Sequence, residues 1–223
     1  MMTKKVLGVD FSLNSPAWCL LAEGESKWGS FHRTTKKIER MMYKESSPFK
    51  VFSEIPNFSI KIIEKERADG EYWEVERKKI ENFLVIADSF IEMIKPHIDE
   101  KTVVFMEGIS FGSSGNSLID ISMCTALIRE RLVDIVGFGR LNIYSPTAIK
   151  KFAHKGNSKK DELYQALLDK YSEDNLLSPL IRPLKQNQDL WIKKSKEVET
   201  PCSDIIDATW ISLYGKQILG ETF

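Results

Sequence analysis

Apolar residues recur along the chain at two spacings, and the alternation between them outlines an α/β protein. Val6-Leu7-Gly8-Val9 is a short apolar run that ends at Asp10, which predicts a buried strand with a carboxylate at its C-terminal end. Ala17–Ala22 and Lys27–His32 read as a second and a third strand. The links between them, Asn14-Ser15-Pro16 and Gly24-Glu25-Ser26, are short and rich in turn formers, so these three strands should form an antiparallel meander. Thr102–Met106 is a fourth buried strand, with Glu107 at its end, and Leu141–Tyr144 a fifth.

Between the strands the period changes to that of a helix. Ile80, Phe83, Leu84, Ala87, Phe90, Ile91 and Ile94 recur at three- and four-residue steps until Pro96 stops them. Leu118, Ile121, Cys124, Ile128 and Leu132 mark a second helix, preceded by a flexible Gly/Ser loop from Phe111. Ser145-Pro146 offers a capping hydroxyl and a first-turn proline for a third, which Gly156 breaks. Ser158 should cap the next, through Tyr171, and Pro201-Cys202-Ser203 should open a last helix reaching Leu219 with Ser203 as cap. Residues 34–71 lack periodicity and read as a long loop or small insertion with a hairpin around Phe58 to Ile63. Residues 172–200, with Pro179 and Pro183, read as irregular and basic. The expectation is one α/β layered domain over residues 1–223, with a mixed five-stranded sheet (three antiparallel strands, then two parallel) flanked by helices.

Composition narrows the class without naming a function. Hydrophobic residues are 42% and charged residues 29% of the 223, ordinary for a globular protein. No apolar run approaches a membrane span, and the strand after Lys4-Lys5 is too short for a signal peptide, so no membrane partner is expected. The three cysteines, Cys19, Cys124 and Cys202, are far apart, which disfavours a disulfide framework or zinc site and suggests a reducing, cytoplasmic setting. Net charge is zero, which disfavours a sequence-blind basic protein but leaves local patches free to act. Three stretches are locally basic. Residues 147–160 carry five lysines and no acid, 179–196 five Lys/Arg against one Asp, and 33–50 six Lys/Arg against two Glu. A charge run is usually a solvated face; flanking an acidic centre, it suits phosphate contact.

That acidic centre is the most specific feature of the sequence. Asp10 and Glu107 each end a buried strand, and Asp204 and Asp207 stand i, i+3 in the first turn of the last helix, on one face and near its positive end. Any one of these acids has a bland reading as a strand-end or helix-start charge. Jointly they form a hard-oxygen set without His or Cys, which suits Mg²⁺ or Mn²⁺. Two such ions about 3.5–4 Å apart can clamp a phosphodiester for in-line attack by water.

These residues resemble the RuvC-like Holliday-junction resolvases. Leu7-Gly8-Val9-Asp10-Phe11-Ser12 is similar to the family's G-[IV]-D-P-G first strand, with Phe11 and Ser12 in place of Pro-Gly. Val104–Glu107 is similar to its second motif, Ser145–Lys151 with Gly156 and Lys160 to its lysine-bearing segment, and Ser203–Ala208 to its terminal D-x-x-D-A. The resemblance implies an RNase H-like fold, a homodimer, and Mg²⁺-dependent paired nicking of four-way DNA junctions. It implies Asp10, Glu107, Asp204 and Asp207 as ligands of two ions, Lys150 and Lys160 near the scissile phosphate with Lys159 as a possible substitute for Lys160, and Phe111 against bases near the crossover. Lys151 and Lys155 join the candidate DNA contacts from the same basic stretch. The divergence and compactness of the chain fit a phage enzyme. The segments 34–71 and 172–200 are longer than the family's usual connections, which leaves open a flap, branch-trimming or RNA–DNA hybrid nuclease. A non-catalytic DNA-binding scaffold would not need four clustered acids. A sugar-kinase-like ATPase would have two domains and Gly-rich phosphate loops. Trp191, among lysines, is the one tryptophan considered for base stacking; Trp18, Trp28 and Trp210 read as core, and His154 as a surface residue.

Overall fold

Strand alternation decides which side chains reach the carboxylate site. In the computed structural model of the chain, β1 (Lys5–Asp10) sends Val6 into one core cluster and Leu7 and Val9 into the other. Its neighbour β5 (Thr102–Glu107) does the same, with Val103 and Phe105 on the first face and Val104 and Met106 on the second. Because side chains alternate, Asp10 and Glu107 fall on the Val6/Phe105 face. The two strands run parallel with Val9 opposite Met106, so both acids emerge at the same level. The structure describes residues 4–221 except 43, 45, 46, 67, 68, 110–114, 194 and 196, and Lys37 through its backbone alone.

Among the described residues the sheet has six strands, in the order β4-β3-β2-β1-β5-β6. β1, β2 (Ala17–Ala22) and β3 (Glu25–Arg33) form the expected antiparallel meander. β5 and β6 (Leu141–Tyr144) extend it as parallel strands. The sixth strand is the departure from the five expected. β4 (Phe58–Ile63) pairs parallel with β3 and is not half of a local hairpin. A parallel partner needs a crossover, and α1 (Lys36–Met42) and α2 (Pro48–Ser53) supply it, so of the two readings of residues 34–71, a long loop or a small insertion, the described residues fit the insertion. As an edge strand β4 is half-buried along its whole length, although its sequence alternates from Phe58 to Ile62.

Helices cover the two faces. α3 (Tyr72–Ile94) and α4 (Asn116–Val136) bury Phe83, Ile86, Phe90, Cys124, Ile128 and Leu132 against Leu7, Val9 and Met106. Ile80 and Leu84, counted into that apolar face by spacing, lie outside it at 49% and 36% exposure. The opposite face carries α5 (Pro146–Ala153), α6 (Lys160–Lys170), α7 (Ser178–Gln186), α8 (Gln188–Trp191) and α9 (Cys202–Leu219). Residues 172–200 are therefore partly helical. Pro179 fits the first turn of α7, and Leu180, Ile181 and Leu184 give it a buried face. Among the described residues no helix is long and apolar enough to cross a membrane.

The last helix is buried nearly all round: Ile205, Ile206, Trp210 and Ile211 are at most 1% exposed. It approaches β1 where there is no side chain to hold it off. A methyl on Gly8 would sit 2.5 Å from Ser212 N and 2.6 Å from the Ala208 carbonyl, and one on Gly215 2.6 Å from the Phe105 ring. In that contact the Ser212 hydroxyl accepts from Gly8 N–H at 2.8 Å and donates to the Cys19 carbonyl at 2.6 Å. Gly8 and Cys19 are register partners, so one hydroxyl ties the helix to two strands.

Two substitutions test this junction. Gly8→Ala is expected to cost about 2–3 kcal/mol or more by overpacking. Ser212→Ala, which leaves two buried backbone groups without their partner, should cost about 1–3 kcal/mol. Urea unfolding followed by circular dichroism measures both, and a Gly8→Ala variant as stable as the wild type contradicts the packing described.

Candidate functional site

Four elements deliver the site. β1 ends at Asp10 and β5 at Glu107, where Gly108 N–H donates to the Tyr144 carbonyl at 2.7 Å and fixes the chain as it leaves the sheet. The first two turns of α9 carry Asp204 and Asp207. α6 opens with Lys160, and the Trp210 indole N–H donates to the Leu163 carbonyl at 3.0 Å, clamping α6 to α9. The Lys160 ammonium consequently lies 3.5 Å from Asp204 Oδ1 and 3.2 Å from Asp207 Oδ2. With Ser12 and Lys150, these residues line a cleft of about 390 Å³ whose wall is Ile149, Leu163, Trp210 and Ile211.

Burial in this company is electrostatically unfavourable. Burial, then the charges of Asp207, Glu107 and Asp204, raise the Asp10 carboxyl well above its ordinary range, with Lys160 opposing. Burial and then Asp207 push Glu107 up to about 7, against Lys150 and Lys160. Asp207 is also raised, chiefly by burial, with Lys160 pulling it down and Asp204 pushing it up. For Lys160, burial disfavours the charge, but Asp207, Asp204 and Asp10 together outweigh it and the ammonium is held more firmly. Acids gathered at a stability cost in a cleft mark a candidate functional site.

The donor chemistry fits a hard divalent cation. The four acids supply only oxygen donors, and Asp204, 6% exposed, has one oxygen, Oδ2, buried with no hydrogen-bond partner. Its other oxygen accepts from the Ser203 hydroxyl at 3.2 Å. Among the described residues no three His, Cys, Asp or Glu side chains form a ready-made ligand cage. The acids share a cleft, and a lysine rather than a further acid sits against Asp204 and Asp207.

Several expectations meet a different arrangement. Ser203 lies inside α9, where Pro201 holds the capping position, and its hydroxyl serves Asp204. Ser158 accepts from Lys155 N–H; Glu162 takes the Lys159 N–H at the start of α6. Of the basic residues named from sequence, Lys150 and Lys160 line the carboxylate cleft, and Lys159 lines the cleft beside it. Lys151 is exposed on α5, and Lys155 is exposed and paired with Glu162. Phe111 lies outside the described residues. Trp191 is 1% exposed and stacks on Phe52 at 5.5 Å, and Trp18, Trp28 and Trp210 are also core. From the 33–50 stretch, Lys36, Arg40 and Lys44 border a separate cleft with Asp189, not the carboxylates. Sequence reasoning gave no role to Ser12, two residues beyond the first motif's acid, or to Lys193 and Ser195, which border the Lys159 cleft.

The backbone arrangement is that of a RuvC-like, RNase H-like fold. Thermus thermophilus RuvC superposes with a TM-score of 0.50 at 11% identity, covering 97% of this chain and 96% of that one. T. thermophilus RuvC in complex with a Holliday junction substrate superposes with a TM-score of 0.50 at 10% identity, covering 96% of each chain. No family model matches the sequence, and no curated protein matches it.

The raised carboxyls set a pH dependence. An acid with a raised folded-state pKa binds its proton more tightly in the folded chain, so the contribution of Glu107 to stability falls as pH rises from about 4.5 to about 7 and levels off above. In chelator-treated protein, Glu107→Gln should therefore stabilise the chain by about 1–3 kcal/mol at pH 8 and by little at pH 4.5. Thermal melts across that range check the sign, and destabilisation at pH 8 contradicts it.

Proposed function

We propose that this chain is a Mg²⁺- or Mn²⁺-dependent endonuclease that cuts the backbone of branched DNA, four-way junctions foremost, acting as a homodimer in the cytoplasm. The observation that carries this reading is the convergence of Asp10, Glu107, Asp204 and Asp207, with Lys150 and Lys160, on one cleft of a RuvC-like fold. The solved structure of similar fold that holds a Holliday junction supports branched DNA as the ligand class.

Asp10, Glu107, Asp204 and Asp207 would hold two ions. When bound, such ions activate water and stabilise the leaving 3′ oxygen. Lys160, ion-paired with Asp204 and Asp207, would keep positive charge beside the scissile phosphate. Lys150 adds a second cation to the lining of the cleft. The apolar wall of Ile149, Leu163 and Trp210 limits water and strengthens each of these interactions.

A panel of four-way junction, flap, Y-fork, linear duplex and RNA–DNA hybrid, with Mg²⁺ or Mn²⁺, tests the reading. Paired symmetric nicks in the junction are expected. Asp10→Asn or Asp207→Asn should lower the rate about a thousandfold or more, roughly 4 kcal/mol of barrier, and Lys160→Ala about a hundredfold. Preference for another substrate, lost in the same variants, replaces the junction specificity and keeps the metal site. No cleavage of any substrate leaves a DNA-binding scaffold.

A further inference from the structure

The carboxylate cleft does not end at the carboxylates. Lys150 and Lys160 also line a second cleft of about 570 Å³, which continues past Ser158 and Lys159 to Lys193 and Ser195. Its far wall is formed by Lys193, Ser195, Glu197 and Val198, at a turn whose described residues include an antiparallel bridge between Ile192 and Val198. Lys193 N–H donates to the Glu197 carbonyl at 3.0 Å, and Glu199 N–H to the Trp191 carbonyl at 2.8 Å. The turn is anchored from below. Trp191 is buried, and its indole N–H donates to the Tyr164 hydroxyl at 3.4 Å. Tyr164 belongs to α6, the helix that begins with Lys160, so both walls of the second cleft are referenced to one helix.

We propose that this turn is the second wall of a track for the sugar-phosphate backbone of the strand being cut, with Lys193 contacting a phosphate next to the scissile one. The inference rests on the endonuclease reading and assigns a role to part of the long segment 172–200. Lysines from α5, from the start of α6 and from the turn face a single groove continuous with the catalytic cleft, which a merely solvated charge run would not arrange. Asp161 and Glu197 also border the groove, so it is not uniformly basic. Lys193 is held by Glu197 at 3.3 Å and Glu199 at 3.2 Å with its side chain 46% exposed. The pair with Glu197, 70% exposed, is weak and can open to a phosphate, while Glu199, 22% exposed, keeps the lysine oriented.

The test measures binding by fluorescence anisotropy in Ca²⁺, using the panel substrate that the wild type cuts, across a range of salt. Lys193→Ala should weaken binding about 3–10-fold and reduce the slope of log K against log[salt] by about one phosphate contact, and Lys193→Arg should restore both. Glu197→Gln, which breaks one of the ion pairs but keeps the lysine, should bind as tightly as wild type or tighter. The rise in melting temperature on adding Mn²⁺ should be the same in all variants. If Lys193→Ala binds like wild type, or if Glu197→Gln weakens binding as much as Lys193→Ala with the salt slope unchanged, the turn is structural and the track is wrong. In either case the endonuclease reading stands. A wild type that cuts nothing overturns both.

Discussion

The close approach of the last helix to the first strand is the constraint on which the structure depends. Gly8 has no side chain, so Ser212 can reach across and bridge the Gly8 N–H and the Cys19 carbonyl. One turn further on, Gly215 does the same opposite Phe105 and Val6. These contacts fix the height and rotation of α9 over β1 and β5. The helix phase then leaves no freedom for Asp204 and Asp207: they stand over the strand ends from which Asp10 and Glu107 emerge. The site is thus a by-product of how a helix packs on a sheet, and that packing is dense enough to resist a single added methyl.

The same packing creates an electrostatic conflict. An apolar helix buried on all sides is the most stable way to close this layer, yet it carries two carboxylates into a buried corner that already holds two more. Lys160 offsets part of the repulsion, and its position depends on Trp210 holding α6 against α9. The remaining cost appears in the raised carboxyls of Asp10, Glu107 and Asp207. A sequence under pressure for stability alone would place amides there. A divalent cation, as proposed, would resolve the conflict, which would give the chemistry and the energetics of the site the same cause.

How much of this the sequence discloses follows from which signals are local. The strands β1, β2 and β5 are legible because their apolar runs are continuous, β3 because a short turn sequence joins it to β2, and the terminal helix because Pro201 opens it. So are the four acids, since each sits at the end of such an element. β4 was read as part of a local hairpin; its parallel pairing with β3 is set by a crossover, not by a turn, and leaves no local signal. α7 was hidden because Pro179 and Pro183 read as breakers although one of them sits in the first turn. The fit of Gly8 to Ser212, 204 residues apart, leaves no local trace. Nor does the alignment of Lys193 with Lys159, which exists only once Trp191 is buried against Tyr164 and Phe52.

The central claim is that these four acids are one divalent-cation centre. Isothermal titration calorimetry of the chelator-treated protein with Mn²⁺ addresses it directly. The account predicts saturable binding of two ions per chain, with loss of at least one in Asp10→Asn and release of protons near pH 7 as the raised carboxyls ionise. Absence of saturable binding, or binding that Asp10→Asn leaves unchanged, would contradict it.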